Sequence, residues 1–137
     1  MQYLDSWVWI EYVLGGAVDD AAKTVLEAAH DDGGVTSTIA LTEIDYIIRR
    51  ELDQETADFV TSSIEDSAAI RVIPVSSDIA LQASNIRSKY YSRRERELSY
   101  ADAIHIATAL QKDCSTIQTG DADFDGLDEI DAVVHQK

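Results

Sequence analysis

The sequence is poor in the residues on which several common kinds of protein depend. Its one cysteine, Cys114, excludes an intramolecular disulfide, and no cluster of Cys and His is present to hold zinc. No apolar run approaches the roughly 18 residues that a membrane span requires. Asp5 also interrupts the N-terminus before a signal-like apolar stretch can develop. We therefore expect a cytoplasmic protein in a reducing compartment, with no membrane association.

Basic residues are scarce as well. The chain has 11 Lys and Arg against 26 Asp and Glu, which gives a formal net charge of −15. Such a surface repels nucleic acid in dilute salt, because binding to a polyanion depends on cations. Near 1 M salt the Debye length falls to about 3 Å and this repulsion is screened. The composition, with 17 Asp and 4 Lys, resembles that of proteins from salt-accumulating halophiles, and we favour that interpretation over a partner that is not a polyanion.

The length and the hydrophobic pattern predict one α/β domain spanning residues 1–137. With 45% hydrophobic residues in 137 positions, the chain can bury a core but is short for two domains. Strands are predicted at 1–4, 35–38, 70–75, 115–118 and 132–134, and helices at 6–14, 19–32, 41–52, 57–64, 79–86 and from 103. This alternation predicts a three-layer α/β/α sandwich around a mainly parallel sheet of four or five strands.

Four acids that are far apart in the sequence share one kind of position. Asp5, Glu43, Asp102 and Asp121 each lie where an apolar run gives way to a turn or a helix start. In an open α/β sheet these positions converge on one crevice, where ligands usually bind. Carboxylate oxygens are suitable ligands for hard divalent cations. The pattern predicts a catalytic metal site that uses all four.

Three of these acids also have a purely structural explanation. Asp5 is placed to cap the helix that follows it, although Ser6 could cap it equally well. Glu43 is predicted in the first turn of its helix, where a carboxylate complements the helix dipole. Ser99 and Asp102 match a capping box that opens an almost wholly apolar helix. Taken singly, these three positions leave both explanations open.

Asp121 begins an acidic turn, Asp121-Ala122-Asp123-Phe124-Asp125-Gly126, that matches the opening of a calcium loop. The match then fails, since Ala132 stands where the loop requires a bidentate Glu and the preceding segment resembles a strand. The turn nevertheless offers carboxylates, and Thr119 offers a hydroxyl, at the end of a predicted strand.

One segment is basic although the chain as a whole is strongly acidic. Five of the eleven bases lie within ten residues, interleaved with Tyr90 and Tyr91: Arg87, Lys89, Arg93, Arg94 and Arg96. One interpretation is a solvated face that pairs with the acidic surface. The other is a patch that contacts RNA phosphates, with tyrosines available to stack on bases.

The remaining distinctive side chains are predicted to be structural. His105 lies inside the apolar helix and is expected to be a packed core histidine. Trp7, Trp9 and Phe124 are expected to be core aromatics, and Cys114 a buried apolar residue.

The order of motifs resembles that of the PIN-domain nucleases, particularly the VapC-type ribonuclease toxins, along nearly the whole chain. The residues that carry this resemblance are Tyr3-Leu4-Asp5-Ser6, Leu41-Thr42-Glu43, Ser99-Tyr100-Ala101-Asp102-Ala103 with Ala107-Thr108-Ala109, and Thr119-Gly120-Asp121-Ala122-Asp123-Phe124. The resemblance implies a PIN-like fold and Mg²⁺- or Mn²⁺-dependent cleavage of RNA phosphodiester bonds, with tRNA among the candidate substrates. It also implies a cognate antitoxin and a homodimer. Together with the composition, it suggests a halophilic archaeon as the source.

The resemblance assigns roles to particular residues. Asp5, Glu43, Asp102 and Asp121 match the acidic quartet of the family, with Asp123 as an auxiliary acid. Thr119 and Ser6 match accompanying hydroxyls. Trp7 departs from the pattern, because the family commonly has a small polar residue there.

Two other kinds of function are open alternatives. One is a noncatalytic PIN-like module that binds RNA or protein. The other is a receiver-like domain in which an Asp is phosphorylated on Mg²⁺. The second alternative requires a pair of acids near the first strand and a late lysine, but the late lysines here are only Lys112 and Lys137.

Overall fold

The computed structural model describes residues 1–92 and 96–137, in which strands and helices alternate as predicted. The strands are β1 (Gln2–Leu4), β2 (Gly34–Ser37), β3 (Ile70–Ile73), β4 (Thr116–Thr119) and β5 (Asp131–Val134). The helices are α1 (Trp7–Leu14), α2 (Asp19–Asp32), α3 (Thr38–Glu51), α4 (Gln54–Asp66), α5 (Ser77–Tyr90) and α6 (Tyr100–Gln111), with a 3₁₀ turn at Ala122–Phe124. None of the helices in these residues is long and apolar enough to cross a membrane.

The five strands form one sheet in the order β3-β2-β1-β4-β5, and every neighbouring pair is parallel. The predicted parallel sheet is therefore confirmed. From β1 the chain builds outward through β2 and β3, and it then returns to the other side of β1 to form β4 and β5. Ligands of open α/β sheets bind at the carboxyl ends of the strands where the strand order reverses in this way. In this chain that point lies between β1 and β4.

Both faces of the sheet are covered by helices. Alternate residues of a strand point to opposite faces, and in β1 the two fully buried side chains Tyr3 and Leu4 belong to different apolar clusters. The Tyr3 cluster includes side chains of α5 and α6, such as Ile79 and Ile106, whereas the Leu4 cluster includes side chains of α1 to α4, such as Ile44. The predicted three-layer α/β/α architecture is confirmed.

Helix α3 begins at Thr38, three residues earlier than predicted. Ser37 ends β2, and its hydroxyl accepts the Ile39 N–H at 3.2 Å, so the helix starts directly after the strand. Glu43 consequently lies in the second turn. The prediction that it lies in the first turn was wrong, and its carboxylate gains less from the helix dipole, whose effect is confined to the first turn.

The ends of β3 and β4 also differ from prediction. β3 stops at Ile73 because Pro74 has no N–H to continue the ladder. β4 extends to Thr119, which places that hydroxyl at the carboxyl end of the strand. This end of β4 pairs with β1 through Leu4 and Gln118, and the Asp5 N–H continues the pairing by donating to the Gln118 carbonyl at 3.2 Å.

The surface carries many more acids than its bases can neutralise. The ion pairs that Lys and Arg make in the described residues, such as Lys23 with Glu27 and Arg49 with Asp45, are partly or largely exposed, and exposed pairs stabilise proteins by only about 0–1 kcal/mol. A net charge of −15 therefore acts mainly as repulsion within the folded chain.

We expect potassium chloride to stabilise the fold. Raising the salt from about 0.1 M to about 1 M shortens the Debye length from about 10 to 3 Å, and relief of the repulsion should raise the unfolding midpoint by roughly 5 °C. Circular dichroism melting curves would measure the unfolding midpoint at each salt concentration, with sucrose as a nonionic control solute. A midpoint that does not change with salt would contradict this expectation.

Candidate functional site

An open cleft of ≈ 480 Å³ lies at the carboxyl edge of β1 and β4 and gathers acids from distant parts of the chain. Its carboxylates are those of Asp5, Glu43, Asp102, Asp121 and Asp123. The other residues that line it are Ser6, Trp7, Ile10, Ile47, Gly120, Ala122 and Gln136. All five acids singled out in the sequence thus border the same cleft, at the position where the strand order reverses.

Asp5 is the most deeply buried of these acids, with 6% of its surface exposed. Its Oδ1 accepts the Trp7 N–H at 2.8 Å, and its Oδ2 accepts the Thr119 hydroxyl at 2.5 Å. Ser6 precedes α1 but makes no side-chain capping bond, so the helix start is capped by Asp5. Asp5 thus joins the end of β1, the start of α1 and the end of β4.

The environment of Asp5 disfavours its charge. Burial raises the pKa of this carboxyl from 3.8 to about 6, although His105 and the hydrogen bonds from Thr119 and Trp7 act in the opposite direction. The nearby Glu43 carboxylate adds to the increase. An ionised Asp5 is therefore destabilising unless a cation is bound close to it.

Glu43 is held from behind by a residue of α6. Its Oε1 lies 2.6 Å from Nε2 of His105, whose Nδ1 lies 2.5 Å from the Tyr3 hydroxyl. His105 is buried, as predicted, but the prediction missed its contact with an acid of the cleft. Burial also raises the pKa of Tyr3 well above its ordinary value. The phenol therefore keeps its proton.

Asp102 has the capping box that the sequence predicts. Its Oδ2 accepts the Ser99 N–H at 3.0 Å, and its own N–H donates to the Ser99 hydroxyl at 3.0 Å. Burial raises the pKa of Asp102, and the neighbouring charge of Asp121 adds to this increase. The capping role and a position on the cleft therefore coexist in one side chain.

The acidic turn after β4 forms a 3₁₀ turn, in agreement with the failed calcium match. Asp121 caps this turn, since its Oδ1 accepts the Asp123 N–H at 2.8 Å. The Thr119 hydroxyl, which donates to Asp5, also accepts the Asp121 N–H at 3.1 Å. Thr119 thus links the buried Asp5 by hydrogen bonds to the turn that carries Asp121 and Asp123.

Trp7 forms one wall of the cleft. Its ring stacks on His135 with centroids 5.3 Å apart and planes 2° from parallel, and it packs closely on Gly120. The prediction of a core aromatic is therefore incomplete for Trp7, which is only partly buried. Gln136 donates to the Gly120 carbonyl at 3.2 Å, so the segment after β5 also borders the cleft.

The other side chains predicted to be structural are buried. Trp9, Phe124 and Cys114 each have 7% or less of their surface exposed. Burial also raises the pKa of the Cys114 thiol, which disfavours the reactive thiolate.

The carboxylates have suitable chemistry for a hard divalent cation, but they do not form a closed set of ligands. Within residues 1–92 and 96–137, no three His, Cys, Asp or Glu side chains are grouped as a metal-binding cluster. Mg²⁺ usually binds through one or two carboxylates while keeping several waters. The acids therefore fit a hydrated Mg²⁺ or Mn²⁺ better than an ion enclosed entirely by protein ligands.

The three described bases of the basic segment contact other groups of the protein. Arg87 lies between the rings of Tyr91 and Tyr100, at 4.1 and 4.4 Å from their centroids, and donates to the Leu98 carbonyl at 3.0 Å. Lys89 lies 3.4 Å from both Asp128 and Glu129. Arg96 donates to the Asp125 carbonyl at 2.5 Å. Two more of the predicted RNA contacts, Arg93 and Arg94, lie outside the described residues.

A comparison with models of known protein families identifies the family of this chain. The family model described as PIN domain matches residues 2–130. The chain belongs to the PIN-domain family. This PIN domain has the fold, the strand order and the cleft position described above, so the family resemblance seen in the sequence motifs is confirmed. No curated protein sequence matches the chain.

Solved structures similar to this PIN domain include toxins of toxin–antitoxin systems. VapC20 of Mycobacterium tuberculosis, described as a toxin that cleaves the sarcin–ricin loop, has 26% identity and a TM-score of 0.79 over 96% of this chain and 99% of its own. A toxin–antitoxin complex of Klebsiella pneumoniae has 23% identity and a TM-score of 0.71 over 98% and 97%. VapBC2 of Rickettsia felis, bound to promoter DNA, has 16% identity and a TM-score of 0.73 over 99% and 100%.

We expect Asp5→Asn to stabilise the protein near neutral pH. Between pH 3.8 and about 6 the folded chain keeps a proton on Asp5 that the unfolded chain releases, so the stability contributed by this site falls as the pH rises. Above that window the charged carboxylate costs a few kcal/mol, which the neutral amide avoids. Urea unfolding from about pH 4 to 8 should show a stability gain that is largest at high pH, with the exposed Asp66→Asn as a control. A pH-independent difference would rule out this explanation.

Gly120→Ala should displace Trp7. A Cβ at position 120 would lie 2.3 Å from the indole Nε1, and relief of such an overlap typically costs about 1–3 kcal/mol. We expect reduced stability and a shift in tryptophan emission. The double variant Trp7→Ala/Gly120→Ala should show little further loss beyond Trp7→Ala alone. If Gly120→Ala had the stability and emission of the wild type, the close packing would not exist in solution.

Proposed function

We propose that this PIN domain is a Mg²⁺- or Mn²⁺-dependent endoribonuclease that acts as the toxin of a toxin–antitoxin pair. The observation that carries the proposal is the set of carboxylates around one cleft at the switch point of the sheet. Four of them, Asp5, Glu43, Asp102 and Asp121, are proposed as metal ligands and catalytic residues, and Asp123 as an additional ligand.

RNA is the proposed substrate. Support comes from membership of the PIN-domain family and from the similarity to VapC20, which is described as cleaving the sarcin–ricin loop. The proposed RNA contacts near the cleft include Tyr100, the first residue of α6. Its side chain is 73% exposed, and the guanidinium of Arg87 lies over its ring. An aromatic face with a cation beside it can stack on a base without requiring a particular sequence.

The residues around the cleft would have different roles in phosphodiester hydrolysis. A bound divalent cation supplies Lewis-acid stabilisation of the phosphate and lowers the pKa of coordinated water. Asp5 and Asp102 would each ionise fully when the cation arrives, because the cation offsets the burial that now raises their pKa values. Thr119 would keep Oδ2 of Asp5 oriented through its hydroxyl. Ser6 is proposed as an auxiliary hydroxyl at the cleft wall.

An antitoxin is the proposed protein partner, and a homodimer is the proposed assembly. The structural neighbours include toxin–antitoxin complexes, which supports the first proposal. An apolar groove between α1, α2 and α4, with Tyr12 and Phe59 exposed at 46% and 74%, offers a surface that a partner helix could cover. The net charge favours a partner with basic residues, and a cell interior rich in salt would screen the repulsion of RNA.

A noncatalytic binding module is the second candidate. It is favoured by one observation, the apolar groove between α1, α2 and α4, which offers a surface for a protein partner away from the cleft. The two candidates differ in whether a divalent cation binds at the cleft and whether RNA is cleaved.

Asp5→Asn or Asp102→Asn should reduce metal-dependent RNA cleavage by at least ~100-fold while the fold is retained, because each removes a charged ligand. Purified protein would be incubated with total RNA in concentrated KCl, with Mn²⁺, Mg²⁺ or EDTA, and products resolved by gel electrophoresis. Circular dichroism would verify folding.

Asp66→Asn is a matched control, since Asp66 is an exposed acid at the end of α4. It should cleave as the wild type does. Cleavage by Asp5→Asn at the wild-type rate, or cleavage that survives EDTA, would refute the metal-site assignment. A wild-type protein that binds RNA without cleaving it would favour the binding module.

A further inference from the structure

A chain of three polar groups runs from the core to the cleft. The Tyr3 hydroxyl lies 2.5 Å from Nδ1 of His105, and Nε2 of the same ring lies 2.6 Å from Oε1 of Glu43. Tyr3 and His105 have 0% and 1% of their surface exposed, whereas the Glu43 side chain is 29% exposed. Both ring nitrogens of His105 are therefore engaged by protein groups, and only the last member of the chain reaches solvent.

The order of donors along this chain follows from its members. The Glu43 carboxylate can only accept a hydrogen bond, so Nε2 of His105 carries a hydrogen and donates to it. In a ring that carries one hydrogen, Nδ1 then accepts from the Tyr3 hydroxyl. Glu43 and Tyr3 together thus hold the tautomer of His105 whose N–H faces the acid.

The hydrogen bond from His105 restricts the conformation of the Glu43 side chain. A free glutamate side chain on a helix has several rotamers, and fixing one of them when a cation binds costs conformational entropy. His105 is fixed by packing within α6 and bonds Oε1, which leaves Oε2 available to a ligand in the cleft. Hydrogen bonds of this kind orient metal-binding groups, and their loss typically weakens metal affinity by about 10–100-fold.

We propose that His105 is a positioning residue that orients Glu43 for divalent cation binding, with Tyr3 fixing the histidine ring from the core side. The proposal rests on the metal-dependent nuclease function proposed above. It assigns His105 no contact with RNA and no proton transfer.

Two substitutions at position 105 separate positioning from packing. His105→Gln places an amide N–H near the original Nε2 and can still donate to Glu43, whereas His105→Asn reaches only the region of Nδ1. Both are buried amides of similar polarity, so both weaken the core. We expect the Mn²⁺ affinity of His105→Asn to fall by about tenfold and that of His105→Gln to stay within about threefold of wild type. Isothermal titration with Mn²⁺ would measure both, and urea unfolding would record their stabilities.

Wild-type protein provides a test that depends on no variant. The ¹⁵N chemical shifts of the His105 ring near neutral pH should report a hydrogen on Nε2. Tyr3→Phe removes only the hydroxyl that holds the ring from the core side, and it should reduce Mn²⁺ affinity by a few fold. A wild-type ring without a hydrogen on Nε2 could not donate to Glu43 and would overturn the proposal.

The outcomes also separate this proposal from the proposed function. If the wild type binds Mn²⁺ and cleaves RNA but His105→Asn binds Mn²⁺ as tightly, the nuclease function stands and the positioning role fails. Equal losses of affinity in His105→Asn and His105→Gln would indicate a structural role only and would also overturn it. If the wild type neither binds Mn²⁺ nor cleaves RNA, both proposals fail.

Discussion

The desolvated carboxylate of Asp5 is the constraint on which the rest of the cleft depends. It accepts hydrogen bonds from the start of α1 and from Thr119 at the end of β4, so it joins the two sides of the point where the strand order reverses. The same burial that makes these bonds strong makes its charge costly. Folding buries Asp5 and favours its neutral form, whereas binding a cation requires its charged form. A cation at the cleft would stabilise the buried charge.

Capping and ligand binding are compatible roles for the acids of this cleft. Asp5, Asp102 and Asp121 each accept a backbone N–H near a helix or turn start, and each still has lone pairs that face the cleft. The backbone bonds hold the carboxylates in place before any ligand arrives. In the sequence a cap is an alternative to a functional role, but in the folded chain the capping bond positions the acid.

Much of the fold and of the acidic cleft follows from sequence patterns. Strand and helix periodicity predicts the parallel sheet, and the rule that strand ends meet at one edge predicts that Asp5 and Asp121 lie near each other. The contact of His105 with Glu43 could not be predicted, because the partners are 62 residues apart and rotamers decide it. One signal was present: a histidine in an apolar helix needs partners for both nitrogens. The pairing of Arg87 with Tyr91 and Tyr100 likewise depends on side-chain conformations that periodicity does not encode.

Met1 and Gln136 lie at opposite ends of the parallel strands. Met1 precedes the amino end of β1, whereas Gln136 follows β5 and bonds to Gly120 beside the cleft. A probe attached at Gln136 would therefore sit at the mouth of the cleft and compete with whatever enters it. A probe attached at Met1 would lie on the far side, so the amino ends of the strands are the suitable side for immobilising this protein.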